Sequence, residues 1–167
     1  DPCKCGWTAE GLGRNIFDGD HDEADCPKRG WSRTMVHNTI VDALCRFLKD
    51  CGMENVQAEV KYWDPARIGT DGSRRVPDVT CTNPRTGVEY VIDARIFWNS
   101  MSEGPAGYTA YTHTGAGAEW GEQQKQNSWA EALRRRRNLV AGGVDFVPFS
   151  VEAGGVWGPA ARKFFRE

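Results

Sequence analysis

Two aspartates, Asp78 and Asp93, are the residues of this chain whose spacing could let them do chemistry together. Asp78 lies in the β-prone run Val76-Pro77-Asp78-Val79-Thr80-Cys81-Thr82, and Asp93 in the β-prone run from Val88 to Trp98. Asn83-Pro84-Arg85-Thr86-Gly87 between them is turn chemistry, so the segment is expected to form a hairpin. A turn centred between Arg85 and Thr86 pairs positions whose numbers sum to 171, which sets Asp78 opposite Asp93. Directly opposed residues have Cβ atoms about 5 Å apart. Two carboxylates that close can grip one divalent cation, or bridge two that lie about 3.5–4 Å apart, and their mutual repulsion favours such an ion. The plainer alternative is a pair of solvated strand residues. Against it, aspartate is depleted in strand interiors, and both acids stand in apolar runs where a charge needs a partner. Glu59, on the strand before the hairpin, could add a third carboxylate or could be a solvated residue between Ala58 and Val60.

The elements that must position these acids are legible in the apolar spacing. Val36, Ile40, Val41, Leu44, Phe47, Leu48 and Cys51 form a helical stripe over 33–51, with Ser32 as cap and Gly52 as stop. Val56 to Trp63 alternates as a strand, and a polar loop runs on through Arg75. Residues 99–118 lack periodicity and are long for a loop in a compact domain, which points to a functional or mobile segment. Glu119 to Ala141 predicts a long polar helix ending at Gly142-Gly143. Val144 to Val151 predicts a strand in which Pro148 favours an edge or a bulge, and Pro159 to Phe165 a short closing helix. The order helix, strand, strand, strand, helix, strand predicts an α/β layer arrangement with a mixed sheet.

The 167 residues suit one compact domain, 32–167, with a small head, 1–31. A net charge of −2 gives no overall attraction for nucleic acid, so such a partner must meet a local basic patch. No run has the length of a membrane span, so no membrane partner is expected. The first residue, Asp1, suggests a segment of something longer or a processed product. In the head, Cys3, Cys5, His21 and Cys26 offer four ligands for structural Zn2+, without which a segment so poor in apolar residues could hardly fold. The competing reading leaves Cys3 and Cys5 free or disulfide-linked. Cys45 and Cys51 read as core or near-core helix residues with reduced thiols, and a secreted disulfide scaffold is the weaker reading.

Taken together, Pro77-Asp78 and Asp93-Ala94-Arg95 on a hairpin within this element order resemble the PD-D/E-x-K nuclease superfamily, with its restriction-endonuclease-like fold. More narrowly, the chain resembles the restriction-like endonuclease domain of non-long-terminal-repeat retrotransposon proteins. The Cys3, Cys5, His21, Cys26 set stands where that family has a Cys-Cys-His-Cys knuckle, and His37-Asn38 where it opens a helix with Arg/Lys-His-Asn/Asp. Lys125 stands where it has a lysine four residues before a tyrosine, here Trp129. Val36 replaces the basic residue before His37, with Arg33 one turn earlier, and Arg95 replaces the superfamily lysine. Arginine is permanently charged and cannot accept a proton, so the resemblance assigns the basic role to Lys125.

The resemblance implies a DNA endonuclease in which Asp78, Asp93 and the carbonyl of Ala94 hold Mg2+ or Mn2+, hard ions suited to oxygen ligands. Lys125 would neutralise charge on the phosphate, and Arg95 would hold the scissile phosphate or pair with an aspartate. His37 could contact phosphate or a catalytic acid, or simply pack. Arg33, Arg74, Arg75 and Arg134 are the expected nucleic-acid contacts, although Arg134 to Arg137 spread around a helix and read equally as a solvated face. The implied task is nicking a chromosomal target, in the nucleus, for a linked reverse transcriptase, with RNA as a further partner. The alternative is a module of the same fold that binds nucleic acid through its zinc head without cutting it.

Overall fold

In the computed structural model, residues 30–60, 76–97, 115–152 and 154–166 are described. Helix α1 (Gly30–Asp50) is followed by β1 (Glu54–Ala58), β2 (Val79–Thr82), β3 (Glu89–Phe97), α2 (Ala116–Arg137), β4 (Val144–Glu152) and α3 (Pro159–Phe164). The element order is the expected one. The residues expected to bind zinc, Cys3, Cys5, His21 and Cys26, the arginines Arg74 and Arg75, and the loop up to residue 114 lie outside the described residues.

The four strands form one sheet in the order β1-β2-β3-β4. The first three are antiparallel, and β4 runs parallel to β3 after crossing over through α2, so the protein is α/β with a mixed sheet. Pairing of Val79 with Ile92, Thr80 with Val91, Cys81 with Tyr90 and Thr82 with Glu89 reproduces the sum of 171. The Asn83-to-Gly87 turn sets that register, with Gly87 donating to the Asn83 carbonyl and Asn83 Oδ1 accepting from Arg85 N–H. Pro148, which donates no ladder bond, sits in β4 at the outer edge of the described sheet.

Alternation along the strands then divides two cores. Val79, Cys81, Ile92, Ala94, Val147, Phe149 and Val151 face α1 and α3, meeting Val41, Leu44, Leu48 and Ala161. Val91 and Val144 face α2, meeting Trp129, Ala132 and Leu133. Each fully buried aliphatic or aromatic side chain here contributes roughly 1.5–3 kcal/mol.

Several boundaries differ from the sequence reading. Helix α1 begins at Gly30, so Ser32 lies inside the first turn rather than at its cap. Its buried stripe is narrower than the periodicity suggests: Val36 and Phe47 are exposed, and Cys51 lies past the helix end on the surface, not in the core. Strand β1 starts two residues earlier than expected and ends at Ala58, because Glu59 takes a left-handed φ of 50°. Helix α2 starts at Ala116, so the last residues assigned to the loop are helical, and it ends at Arg137 rather than Ala141.

The early start of α2 has a cause that local sequence hides. Gly115 offers no capping side chain, but the buried carboxylate of Glu152 accepts from the Gly117 N–H at 2.9 Å. Likewise Gly158, at the start of α3, offers none, and Glu122 of α2 accepts from the N–H groups of Ala160 and Ala161. Two helix N-termini are thus capped by glutamates distant in sequence, each at the positive end of a helix dipole. Any side chain at Gly158 would collide with the Glu122 carboxylate.

Candidate active site

The register carries the two aspartates to the α2 side of the sheet. Asp78 stands one residue before β2 and Asp93 lies within β3, on the face shared by Thr80 and Val91. Beyond the last β2 pair, the Ala94 N–H of β3 turns to the Asp78 side chain and donates to its Oδ2 at 2.6 Å. His37 of α1 reaches the same oxygen, its Nε2 donating at 3.3 Å.

Asp93 is held from the opposite layer. Its Oδ2 accepts from the Lys125 ammonium at 2.7 Å and from the Trp129 indole N–H at 2.6 Å. These two donors are four residues apart on α2 and so share one helix face. Trp129 is buried and stacks on Phe146 at 5.4 Å, which fixes the indole and with it the direction of its N–H. Two acids from the sheet, a histidine from one helix layer and a lysine and a tryptophan from the other therefore converge.

Their electrostatics are unequal. Burial, reinforced by the charge of Asp78 and opposed by Lys125, pushes Asp93 up to about 6. Burial also works to raise Asp78, but the hydrogen bond and charge of His37, with the bonds from Asp93 and Ala94, hold it below the usual carboxylate range. His37 is in turn raised, chiefly by its hydrogen bond to Asp78. Facing acids with such different affinities for a proton are what like charges produce when crowded in a poorly solvated place.

The remaining expected residues fall as follows. Arg95, on the same face as Asp93, places its guanidinium 5.3 Å from the Trp120 ring centroid, a cation–π contact. Arg134 is exposed and paired with Glu131, which also binds Arg135. Arg136 makes a bidentate pair with Glu89, and Arg137 donates to the Val144 carbonyl, so the four arginines do radiate to different partners. Arg33 lies in the first turn of α1. Glu59 is exposed, and its N–H donates to the Asp78 carbonyl. Its side chain does not join the aspartates as a third carboxylate: among the described residues no group of three or more His, Cys, Asp or Glu side chains gathers to hold a metal ion. The left-handed turn at Glu59, which breaks strand alternation, is the physical reason.

Trp129 is the site residue that sequence reasoning left without a role. Its position one turn after Lys125 was the available signal, since a donor there must face whatever Lys125 faces. Compared with known proteins, the chain matches no protein-family model and no curated protein. Among the described residues, no helix is long and apolar enough to cross a membrane.

Proposed function

We propose that this protein is a divalent-metal-dependent DNA endonuclease with a restriction-endonuclease-like core. The observation that carries the reading is the facing pair Asp78 and Asp93, with Lys125 brought onto Asp93 from the crossover helix. The donor set fits a hard cation. Two carboxyl groups compete for charge in a half-buried place, and burial with the charge of Asp78 drives the more buried one toward protonation. A cation between them would remove that conflict.

Asp78 and Asp93, with the Ala94 carbonyl, would hold Mg2+ or Mn2+. When bound, such an ion acidifies a ligated water and neutralises charge on a phosphate. The chain's own residues supply the rest. His37 and the Ala94 N–H fix Asp78, while the Trp129 indole fixes Asp93. Lys125 places a positive charge beside the carboxylates, where the non-bridging oxygens of a phosphodiester would come to lie, and stabilises the charge that builds there. Arg95 anchors substrate from the neighbouring position on β3. The zinc head formed by Cys3, Cys5, His21 and Cys26, the contacts from Arg33, Arg74, Arg75 and Arg134, and the nuclear role of nicking a target for a linked reverse transcriptase belong to the same reading. The substitution of Arg95 for lysine favours one alternative, a module of this fold that binds nucleic acid through its zinc head without cutting it.

The test is plasmid nicking by the purified protein in Mg2+ or Mn2+, with EDTA as control. Asp93→Ala is expected to abolish nicking while DNA binding is kept or strengthened, since a negative charge facing phosphate is removed. Lys125→Ala should lose most activity, and Arg95→Ala should raise KM more than it lowers kcat. A folded Asp93→Ala protein that cleaves like the parent defeats the proposal.

A further inference from the structure

Beside the aspartates, on the same face of the sheet, lies a cleft of about 400 Å3. Its floor is the polar face of β1 and β2, with Asn55, Gln57, Thr80 and Thr82, and one wall is the end of α2. The chemistry of this lining is specific. Among the described residues that line it, the charged ones are Glu89 and Arg136, locked to each other by two hydrogen bonds of 2.9 and 3.0 Å. That bidentate pair has no net charge, so the described lining lacks the net cationic charge that a phosphate track needs. The rest of the described lining is neutral, the amides of Asn55 and Gln57 and the hydroxyls of Thr80 and Thr82 beside the apolar Val60 and Val140.

The placement relative to the aspartates is fixed by register. Gln57 is paired with Thr80, two positions along β2 from Asp78, and so shares the face of the two acids. Strand geometry puts it about 7 Å along the strand and about 5 Å across from Asp78. With a nucleotide rise of about 3.4 Å, that is about two nucleotides from a phosphate held between the aspartates. A glutamine amide there offers a donor and an acceptor side by side, the pattern that matches the N6 and N7 edge of adenine.

We propose that this cleft reads base edges on the DNA beside the cut, through the Gln57 amide with Asn55 and Thr82 next to it. The inference rests on the nuclease reading and gives it a source of sequence preference. Gln57 is exposed on the outer strand of the described sheet, so its replacement does not disturb a core.

The experiment uses a pool of duplexes with random sequence, cut by the full chain in Mn2+, with the new ends sequenced. In parallel, duplexes retained by the protein in EDTA are sequenced without cleavage. The expected result is enrichment of one base, adenine by the geometry of the amide, at a fixed position within about two nucleotides of the nick. Gln57→Ala should lower that enrichment about tenfold. A parent that cuts with no preference in that window, or a Gln57→Ala protein with the parent's preference, overturns the inference and leaves the nuclease reading standing. A parent that does not cut defeats the nuclease reading instead. The retained duplexes then decide the cleft: a Gln57-dependent base preference upholds base reading, and its absence overturns it.

Discussion

Replacing Asp93 by asparagine should stabilise the fold at neutral and alkaline pH, although it removes a group at the centre of the site. Asn has the shape of the protonated acid and no charge, so it reports the cost of ionising Asp93. The carboxyl is pushed from 3.8 to about 6, mainly by burial and despite the favourable charge of Lys125. Below 3.8 it is protonated in both the folded and unfolded chain, and the substitution is nearly neutral. Between 3.8 and about 6 the unfolded chain ionises while the fold keeps its proton, so the parent loses stability as pH rises. Above about 6 the whole cost is present. At about 1.4 kcal/mol per pH unit, the interval of roughly two units corresponds to about 3 kcal/mol. For a chain of this size that is roughly 6–12 °C in Tm. Thermal unfolding at pH 5 and pH 8 in EDTA should therefore show a gain for Asp93→Asn at pH 8 that shrinks at pH 5. Adding Mg2+ or Mn2+ at pH 8 should raise the parent's Tm and leave the variant's little changed. A variant less stable than the parent at pH 8, or equally offset at both pH values, would refute the reasoning.

Three further outcomes follow from the same contacts. Trp129→Phe keeps a ring beside Phe146 but removes a hydrogen bond to a buried carboxylate, and urea unfolding should show a loss of about 2 kcal/mol. His37 should titrate above 6.5 by NMR, and Asp78→Asn should bring it back to that value or below, since burial alone lowers it. Gly121→Ala should cost about 1–3 kcal/mol because its methyl would strike the buried Ser150 hydroxyl where α2 presses on β4; Ser150→Ala in the same chain should recover part of the loss.

The hairpin register was legible because two β runs and a turn of defined chemistry leave one way to align them, and Val79 to Thr82 pair accordingly. The element order and a mixed sheet were legible, as was a place for Pro148 at an edge or a bulge; which strand runs parallel was not, and it is β4 beside β3. Lys125 was legible through a resemblance, and the structure places it on Asp93. What composition could not give were contacts decided by layers far apart in sequence. Val36 and Phe47 fit the helical stripe of α1, yet both remain exposed, Phe47 with its ring edge-on to that of Phe165. Nothing local marks Glu122 or Glu152 as a helix cap, yet each ends up buried against a helix start it does not belong to. Glu59 reads from sequence as a possible third carboxylate or a solvated strand residue, and its left-handed backbone, which ends β1, leaves it exposed.

The borrowed caps also govern the order in which the chain can assemble. A helix of six residues such as α3 has little stability alone, and its first donors are satisfied only when Glu122 is already in place on α2. The first turn of α2 is in turn capped by Glu152 at the far end of β4, whose pairing with β3 is non-local and therefore slow to form. The hairpin of β2 and β3 has no such dependency. The two aspartates accordingly meet before Lys125, three residues beyond Glu122 on α2, can arrive to offset them. During that interval the nascent sheet carries facing acids without their ammonium, so refolding should run faster in mild acid, or with a divalent cation present, than in EDTA at alkaline pH.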